Sequence, residues 1–145
     1  MTNPFAAPRT IRRIAARRVF ERTDGKPVVL TIGVPRRVPG SDWGCALQIT
    51  GLPNELRRPQ YVFGIDALQA LYLAMKRADA VLQAAKPRLV WLGEKGDLGL
   101  PKFLPELPKP QRDRLEAIME REARKLLRTF VRGRKAAQSF RLDKE

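Results

Sequence analysis

The clearest pattern of apolar positions predicts a helix over residues 65–86. Large apolar residues recur there every three or four positions, and alanines widen the same stripe; the large ones are Leu68, Leu71, Tyr72, Met75 and Leu82. Asp66 is expected to cap the first turn, with Gln69 completing a capping box, and Pro87 is expected to end the helix. So much alanine beside leucine indicates a helix that lies close on a sheet, with Tyr72 and Met75 in the core.

Alternating positions before this helix predict β-strands. The apolar pattern of residues 11–22 fits both a helix and a strand. The Asp24-Gly25 turn and the clean alternation over residues 28–34 favour a strand that belongs to a hairpin. A third strand is predicted over residues 43–50, with one apolar face made by Cys45, Leu47 and Ile49. A weaker fourth strand over residues 56–63 contains Pro59, which favours an edge position.

The segment after the helix changes in character. The apolar run 89–92 predicts a short strand and is followed by a glycine-rich loop, and prolines 105, 108 and 110 bracket a linker. Residues 111–134 then predict a highly charged helix. Its apolar stripe must be buried on the domain, on a partner or on a second copy of the chain, which would form a homo-oligomer; it consists of Leu115, Ile118, Met119, Leu126, Leu127 and Phe130.

Together these patterns predict an α+β fold. We expect an antiparallel sheet of about four to five strands, one central packed helix and a C-terminal amphipathic helical arm. Residues 1–9 are interpreted as a flexible lead-in, 10–104 as the α+β domain, and 105–145 as a linker and basic helix.

The composition narrows the possible chemistry. The chain of 145 residues has no histidine and one cysteine, so histidine-based triads and the usual zinc sites are excluded, and Cys45 is expected to be a core thiol. No intrachain disulfide can form, which favours the bacterial cytoplasm. No apolar run is long enough for a membrane span, and the N-terminus does not read as a signal peptide. We therefore expect neither an enzyme nor a cofactor.

A net charge of +14 favours an anionic partner, such as nucleic acid, an acidic protein or a lipid surface. Arginine supplies 20 of the 29 basic residues, so the composition of a GC-rich genome is the competing explanation. Neighbours on a strand point to opposite faces, whereas pairs in loops could converge on a phosphate or carboxylate. The candidate pairs are Arg12 and Arg13, Arg17 and Arg18, Arg36 and Arg37, and Arg57 and Arg58.

One loop offers a candidate for metal or acid–base chemistry. Glu94 and Asp97 lie three residues apart in a glycine-rich turn, and Asp66 could lie nearby. The spacing does not match a calcium loop, and Lys95 between them favours ordinary charge balance in a turn. The two tryptophans, Trp43 and Trp91, are interpreted as core anchors.

Three stretches carry a resemblance to a known family. They are Gly64-Ile65-Asp66-Ala67-Leu68-Gln69-Ala70-Leu71, the run from Trp91 through Leu92-Gly93-Glu94 to Asp97-Leu98-Gly99, and Asp42-Trp43-Gly44-Cys45. Over about residues 14–104 the chain resembles an uncharacterised small bacterial domain family, a domain of unknown function. The resemblance implies no catalytic residue. Domains of this build are similar to immunity-type and accessory proteins, an analogy at the level of the fold.

These observations rank three functions. The first is a non-enzymatic protein that engages an acidic protein partner, as a toxin-neutralising or accessory subunit. The second is a nucleic-acid-binding protein that uses the arginine pairs. A metal-dependent enzyme that uses Glu94 and Asp97 is a distant third.

Overall fold

Seven strands and two helices make up the chain in the computed structural model, which describes residues 7–102 and 107–142, with side chains to residue 133. The chain divides into two compact units, residues 1–102 and 103–145. The predicted α+β class is confirmed, with more strands than predicted. The strands are β1 (Ile14–Glu21), β2 (Pro27–Gly33), β3 (Arg36–Arg37), β4 (Trp43–Thr50), β5 (Gln60–Gly64), β6 (Val90–Trp91) and β7 (Glu94–Lys95), and the helices are α1 (Ala67–Gln83) and α2 (Lys109–Leu142).

All strands of the sheet pair antiparallel, in the order β3-β4-β2-β1-β6-β7, and β5 also pairs with β4. Trp43 pairs with Arg37 of β3 and with Gly64 of β5, so β4 lies between these two strands. The predicted hairpin turn is confirmed, because the Lys26 N–H donates to Asp24 Oδ1 at 3.1 Å and Gly25 has a φ of +80°.

The observed strands differ from the predicted ones in two short additions and in two starting positions. Strands β3 and β7 have only two residues each, too few to show an alternating pattern, so both segments were expected to be connections. The predicted fourth strand starts later than expected, because Glu55–Arg57 form a 3-10 turn and β5 begins at Gln60. Strand β1 likewise begins at Ile14 rather than Ile11.

Helix α1 packs on one face of the sheet through a stripe of small side chains. Its buried residues are Ala70, Ala74, Ala78 and Leu82, which face the core residues Phe20, Val28, Leu30, Ile32, Cys45, Leu47 and Ile49. Contact is close because Gly64 lies under the helix: a Cβ built there would lie 2.4 Å from the Ala70 nitrogen. Alanine at four-residue spacing allows the same approach along the helix.

Part of the prediction for α1 was wrong. Leu68 is 76% exposed and Tyr72 is 43% exposed, because both lie outside the buried stripe formed by Ala70, Ala74, Ala78 and Leu82. The helix ends at Gln83, before the expected stop. The cap is confirmed: the Gln69 N–H donates to Asp66 Oδ1 at 2.7 Å, and Gln69 Oε1 accepts from the Ile65 N–H at 2.8 Å.

Helix α2 extends beyond both predicted ends. Pro110 lies in its first turn, where a missing N–H costs no intrahelical hydrogen bond, and Gly133 lies within the helix instead of ending it. Residues 1–6 of the predicted lead-in and residues 105–106 of the predicted linker lie outside the described residues. Neither helix, over the described residues, is long and apolar enough to cross a membrane.

Candidate functional site

A groove of about 730 Å³ lies on the face of the sheet opposite α1, within residues 8–61. We call it the arginine groove, because four of its lining residues are arginines: Arg9, Arg12, Arg13 and Arg36. Its floor includes Gly33 and Ala46, and its remaining walls are mostly apolar, formed by Pro8, Ile11, Val34, Pro35, Val38, Pro39 and Tyr61 with Thr10. A basic rim around an apolar floor is a surface that can hold an extended anionic chain.

Small residues on the outward face of the sheet create this groove. A Cβ built on Gly33 would lie 3.1 Å from Ile11 Cγ2 and 3.2 Å from the Ala46 Cβ. One built on Gly44 would lie 2.7 Å from Val38 Cγ2. The two glycines therefore let neighbouring segments lie low over the strands. The Val34 N–H also donates to the Arg13 carbonyl at 2.8 Å, which fixes the segment before β1 against the sheet.

The charges in the groove have one sign. None of its described lining residues carries a carboxylate, and the side chains of Arg9, Arg12 and Arg13 are exposed and form no ion pair with the described residues. Arg36 donates from Nε to the Tyr61 hydroxyl at 3.1 Å, which holds its guanidinium at the groove wall. Unpaired guanidinium groups bind carboxylates and phosphates with paired hydrogen bonds.

The other predicted arginines are dispersed. Arg17 is exposed and pairs in register with Thr31, on the outward face, whereas Arg18 pairs with Leu30, on the α1 face. Arg37 lies 5.8 Å from the centre of the Trp43 ring. Arg57 and Arg58 are exposed beside the 3-10 turn and do not line the groove. Of the four predicted pairs, only Arg12, Arg13 and Arg36 are brought together.

Arg18 makes a separate cluster with the loop that follows β7. Its Nη1 donates to the carbonyls of Leu98 at 3.0 Å and Gly99 at 2.8 Å, and its guanidinium lies 4.2 Å from the centre of the Trp91 ring. Asp97 Oδ1 accepts from the Gly99 N–H at 3.0 Å. We call these residues the loop clasp; they join β1 to residues 97–99.

The loop clasp accounts for Asp97 as a turn residue that bonds its own backbone two residues ahead. Glu94 is exposed in β7. Among the described residues, no group of three or more acidic or cysteine side chains is close enough to hold a metal ion. Trp91 and Trp43 are both half-buried and pack against the core.

Cys45 lies in the core. Its thiol is fully buried and donates to the Gly33 carbonyl at 3.3 Å. Burial raises the pKa of Cys45 to about 11, so the side chain is a neutral thiol at physiological pH and lacks the thiolate that nucleophilic chemistry needs.

Helix α2 carries an exposed apolar stripe on its own surface. The candidate side chains from Ile118 to Phe130 are 40% to 71% exposed, and Leu115 is half-buried. Val131, which the sequence pattern did not include, is also exposed on this helix. Its charged surface is bridged by i,i+4 pairs such as Glu120 with Arg124, at 2.7 Å.

Among the groove's polar side chains, sequence reasoning did not single out Arg9 and Tyr61. Arg9 had been placed in the lead-in, and Tyr61 in a weak strand. The signal that could have found the site is the run of small residues at alternating outward positions, Gly33 in β2 with Gly44 and Ala46 in β4. Small residues on one face of a sheet indicate that another chain segment lies against it.

A comparison with protein families identifies the domain. A family model matches residues 16–102, which include β1 from its third residue onward, α1 and the loop clasp. The chain belongs to DUF6968, a domain of unknown function. The expected family membership over about residues 14–104 is therefore confirmed. No curated protein and no solved structure matches the chain. In the groove, the DUF6968 domain contributes the floor and Arg36, whereas Arg9, Arg12 and Arg13 precede the matched residues.

Proposed function

We propose that this chain is a non-enzymatic binding protein that holds an acidic segment of a protein partner in the arginine groove. The observation that carries the proposal is the convergence of four arginines, none beside a lining carboxylate, on an apolar floor. Carboxylates would pair with the guanidinium groups, and the stems of the acidic side chains would cover the floor. A net charge of +14 would draw such a partner towards the protein.

The aromatic residues favour a peptide over single-stranded nucleic acid. Binding of single strands relies on exposed rings on which bases stack. Here the rings of Trp91, Tyr61 and Trp43 lie 4.2 Å, 5.5 Å and 5.8 Å from arginine guanidinium groups. An arginine therefore already lies over one face of each of these rings, and a carboxylate can bind to the edge of the same guanidinium group.

The proposed role is that of an accessory or immunity-type subunit in the bacterial cytoplasm. A single buried cysteine, which needs no oxidising compartment, supports that location. The exposed stripe of α2 offers a second contact surface, either for the same partner or for another copy of the chain.

The test is binding of the full chain to a labelled poly-glutamate peptide and to a single-stranded DNA of equal charge, followed by fluorescence anisotropy at low and physiological salt. The groove variant is R9Q/R12Q/R13Q. The control K26Q/R57Q/R58Q also removes three positive charges, from exposed residues outside the groove. Light scattering on the same samples reports whether the chain forms dimers.

We expect the groove variant to bind the peptide at least tenfold more weakly, since three ion pairs of about 0.5 kcal/mol each amount to about that factor. The control variant should bind the peptide no more than about threefold more weakly, because it lowers only the overall positive potential of the protein. An equal loss in both variants would contradict the proposal, because the charge would then act without a site. DNA binding that is tighter than peptide binding and lost in the groove variant would favour the nucleic-acid function instead.

A further inference from the structure

Strand β1 leaves most of one edge of the sheet unpaired. It pairs with β2 along almost its whole length, but on its other side only Glu21 pairs, with Val90 of β6. Within the described residues, positions 14–20 therefore have no partner strand on that side. Along this edge Ile14 is 53% exposed and Val19 is 51% exposed. An exposed strand edge with apolar side chains is a template on which another strand can pair.

The charge at the centre of β1 disfavours pairing with a second copy of the chain. The strand reads Ile-Ala-Ala-Arg-Arg-Val-Phe-Glu, with Arg17 and Arg18 in the middle. Symmetric antiparallel pairing of two copies through the middle of the strand would place Arg17 of one copy directly opposite Arg17 of the other, or Arg18 opposite Arg18. Like charges in such pairs are destabilising. The edge therefore selects a different chain that carries acidic residues.

We propose that the acidic partner segment binds by adding a β-strand to the free edge of β1, an inference that rests on the proposed function. Arg17 and Val19 both face the outward side of the sheet, since they pair in register with Thr31 and Val29. A strand added beside them places an acidic residue opposite Arg17 and an apolar residue two positions away, opposite Val19. The recognised pattern is acid-x-apolar in an extended segment.

The edge and the arginine groove are continuous along the chain. Arg12 and Arg13 line the groove and directly precede β1. Residues 12–17 span no more than about 17 Å, the length of a five-residue strand. A single acidic segment can thus pair with the edge of β1 and reach the groove with its end. Backbone hydrogen bonds would supply affinity, and the arginines would supply specificity.

The experiment compares two versions of one peptide, in which glutamate and valine alternate at every second position with threonine between them. The second version carries N-methyl groups on alternate amides along one edge, so its charges are unchanged but it cannot pair as a strand. We expect N-methylation to weaken binding at least tenfold. Arg17→Glu should weaken binding of the unmodified peptide more than Arg57→Glu, which makes the same charge change away from the edge. Circular dichroism checks that both variants fold.

Hydrogen exchange locates the contact. The unmodified peptide should slow exchange of amides in β1 and leave those of β5, the strand on the other side of β4, unchanged. If both peptides bind with equal affinity and R9Q/R12Q/R13Q binds them more weakly, strand addition is overturned and the proposed function stays intact. Binding of neither peptide would overturn both. A dimer of the free chain with protected β1 amides would also overturn the inference, because a second copy would then occupy the edge.

Discussion

Replacement of Arg18 by methionine tests whether the loop clasp contributes to folding. Methionine keeps a long apolar side chain over Trp91 but removes both hydrogen bonds to the carbonyls of Leu98 and Gly99. The Leu98 side chain is buried, so the loop that carries it is part of the core. Loss of the clasp should therefore lower the global free energy of unfolding rather than only loosen a turn.

The magnitude follows from the contacts. Hydrogen bonds from a charged donor contribute about 1.5–3 kcal/mol each, and a cation–π contact at a partly exposed site adds about 0.5–1 kcal/mol. Arg18 is half-buried and both bonds leave from one nitrogen, so solvent and shared geometry reduce the sum. We expect Arg18→Met to lower the free energy of unfolding by about 2 kcal/mol.

Urea unfolding followed by tryptophan fluorescence and by circular dichroism measures this loss. With a slope of about 2 kcal/mol per molar urea, the midpoint should fall by about 1 M. Arg17→Met is the matched control, since Arg17 is the adjacent residue on the same strand, is exposed, and has no hydrogen bond or ion pair with the described residues. Its effect should stay within about 0.5 kcal/mol. Equal destabilisation by the two substitutions would refute a specific role for Arg18.

Two further predictions concern Gly99 and Cys45. Gly99→Ala should lower the free energy of unfolding by about 3 kcal/mol, because its φ is +58° and a Cβ there would lie 2.0 Å from the Trp91 ring. Gly93, with φ +83°, has open space around it, so Gly93→Ala should lower the same free energy by only about 1 kcal/mol. Equal losses for the two variants in urea unfolding would contradict the steric argument. The raised pKa of Cys45, about 11 against an ordinary 9.0, means that the unfolded chain releases its proton first, so stability should fall by about 1.4 kcal/mol per pH unit between pH 9 and 11. Urea unfolding of Cys45→Ala at the same pH values should show a smaller decrease in stability with pH. An unchanged dependence on pH would contradict the prediction.

The sequence predicted the elements that are marked by a sustained apolar repeat or by a specific turn or cap. The hairpin at Asp24-Gly25, the apolar face of β4 and the cap at Asp66 were all found, because each depends on residues close together in the chain. The orientation of α1 was partly missed. Periodicity identifies an apolar stripe but does not distinguish small residues that allow close approach from large residues at its margin, such as Leu68 and Tyr72.

The candidate site was less predictable, for a physical reason. A groove depends on segments distant in sequence, here residues 8–13, β2 and β4, and on which face of the sheet α1 leaves open. Arginine pairs alone could not locate it. In one pair Arg17 and Arg18 point to opposite faces, and Arg18 binds carbonyls of residues 98 and 99, a contact over 80 positions that no local pattern contains.

The division between matched and unmatched residues suggests how scaffold and specificity are separated in this protein. The DUF6968 domain contains the loop clasp, Gly33 and Ala46, which shape the sheet and the floor of the groove. Three of the four groove arginines, Arg9, Arg12 and Arg13, precede it. Under the proposed function, the matched domain supplies the floor of the groove and Arg36, and the three preceding arginines supply most of its charge. A test of the proposed function therefore has to keep residues 8–13 in place, because the matched residues alone lack three of the four groove arginines.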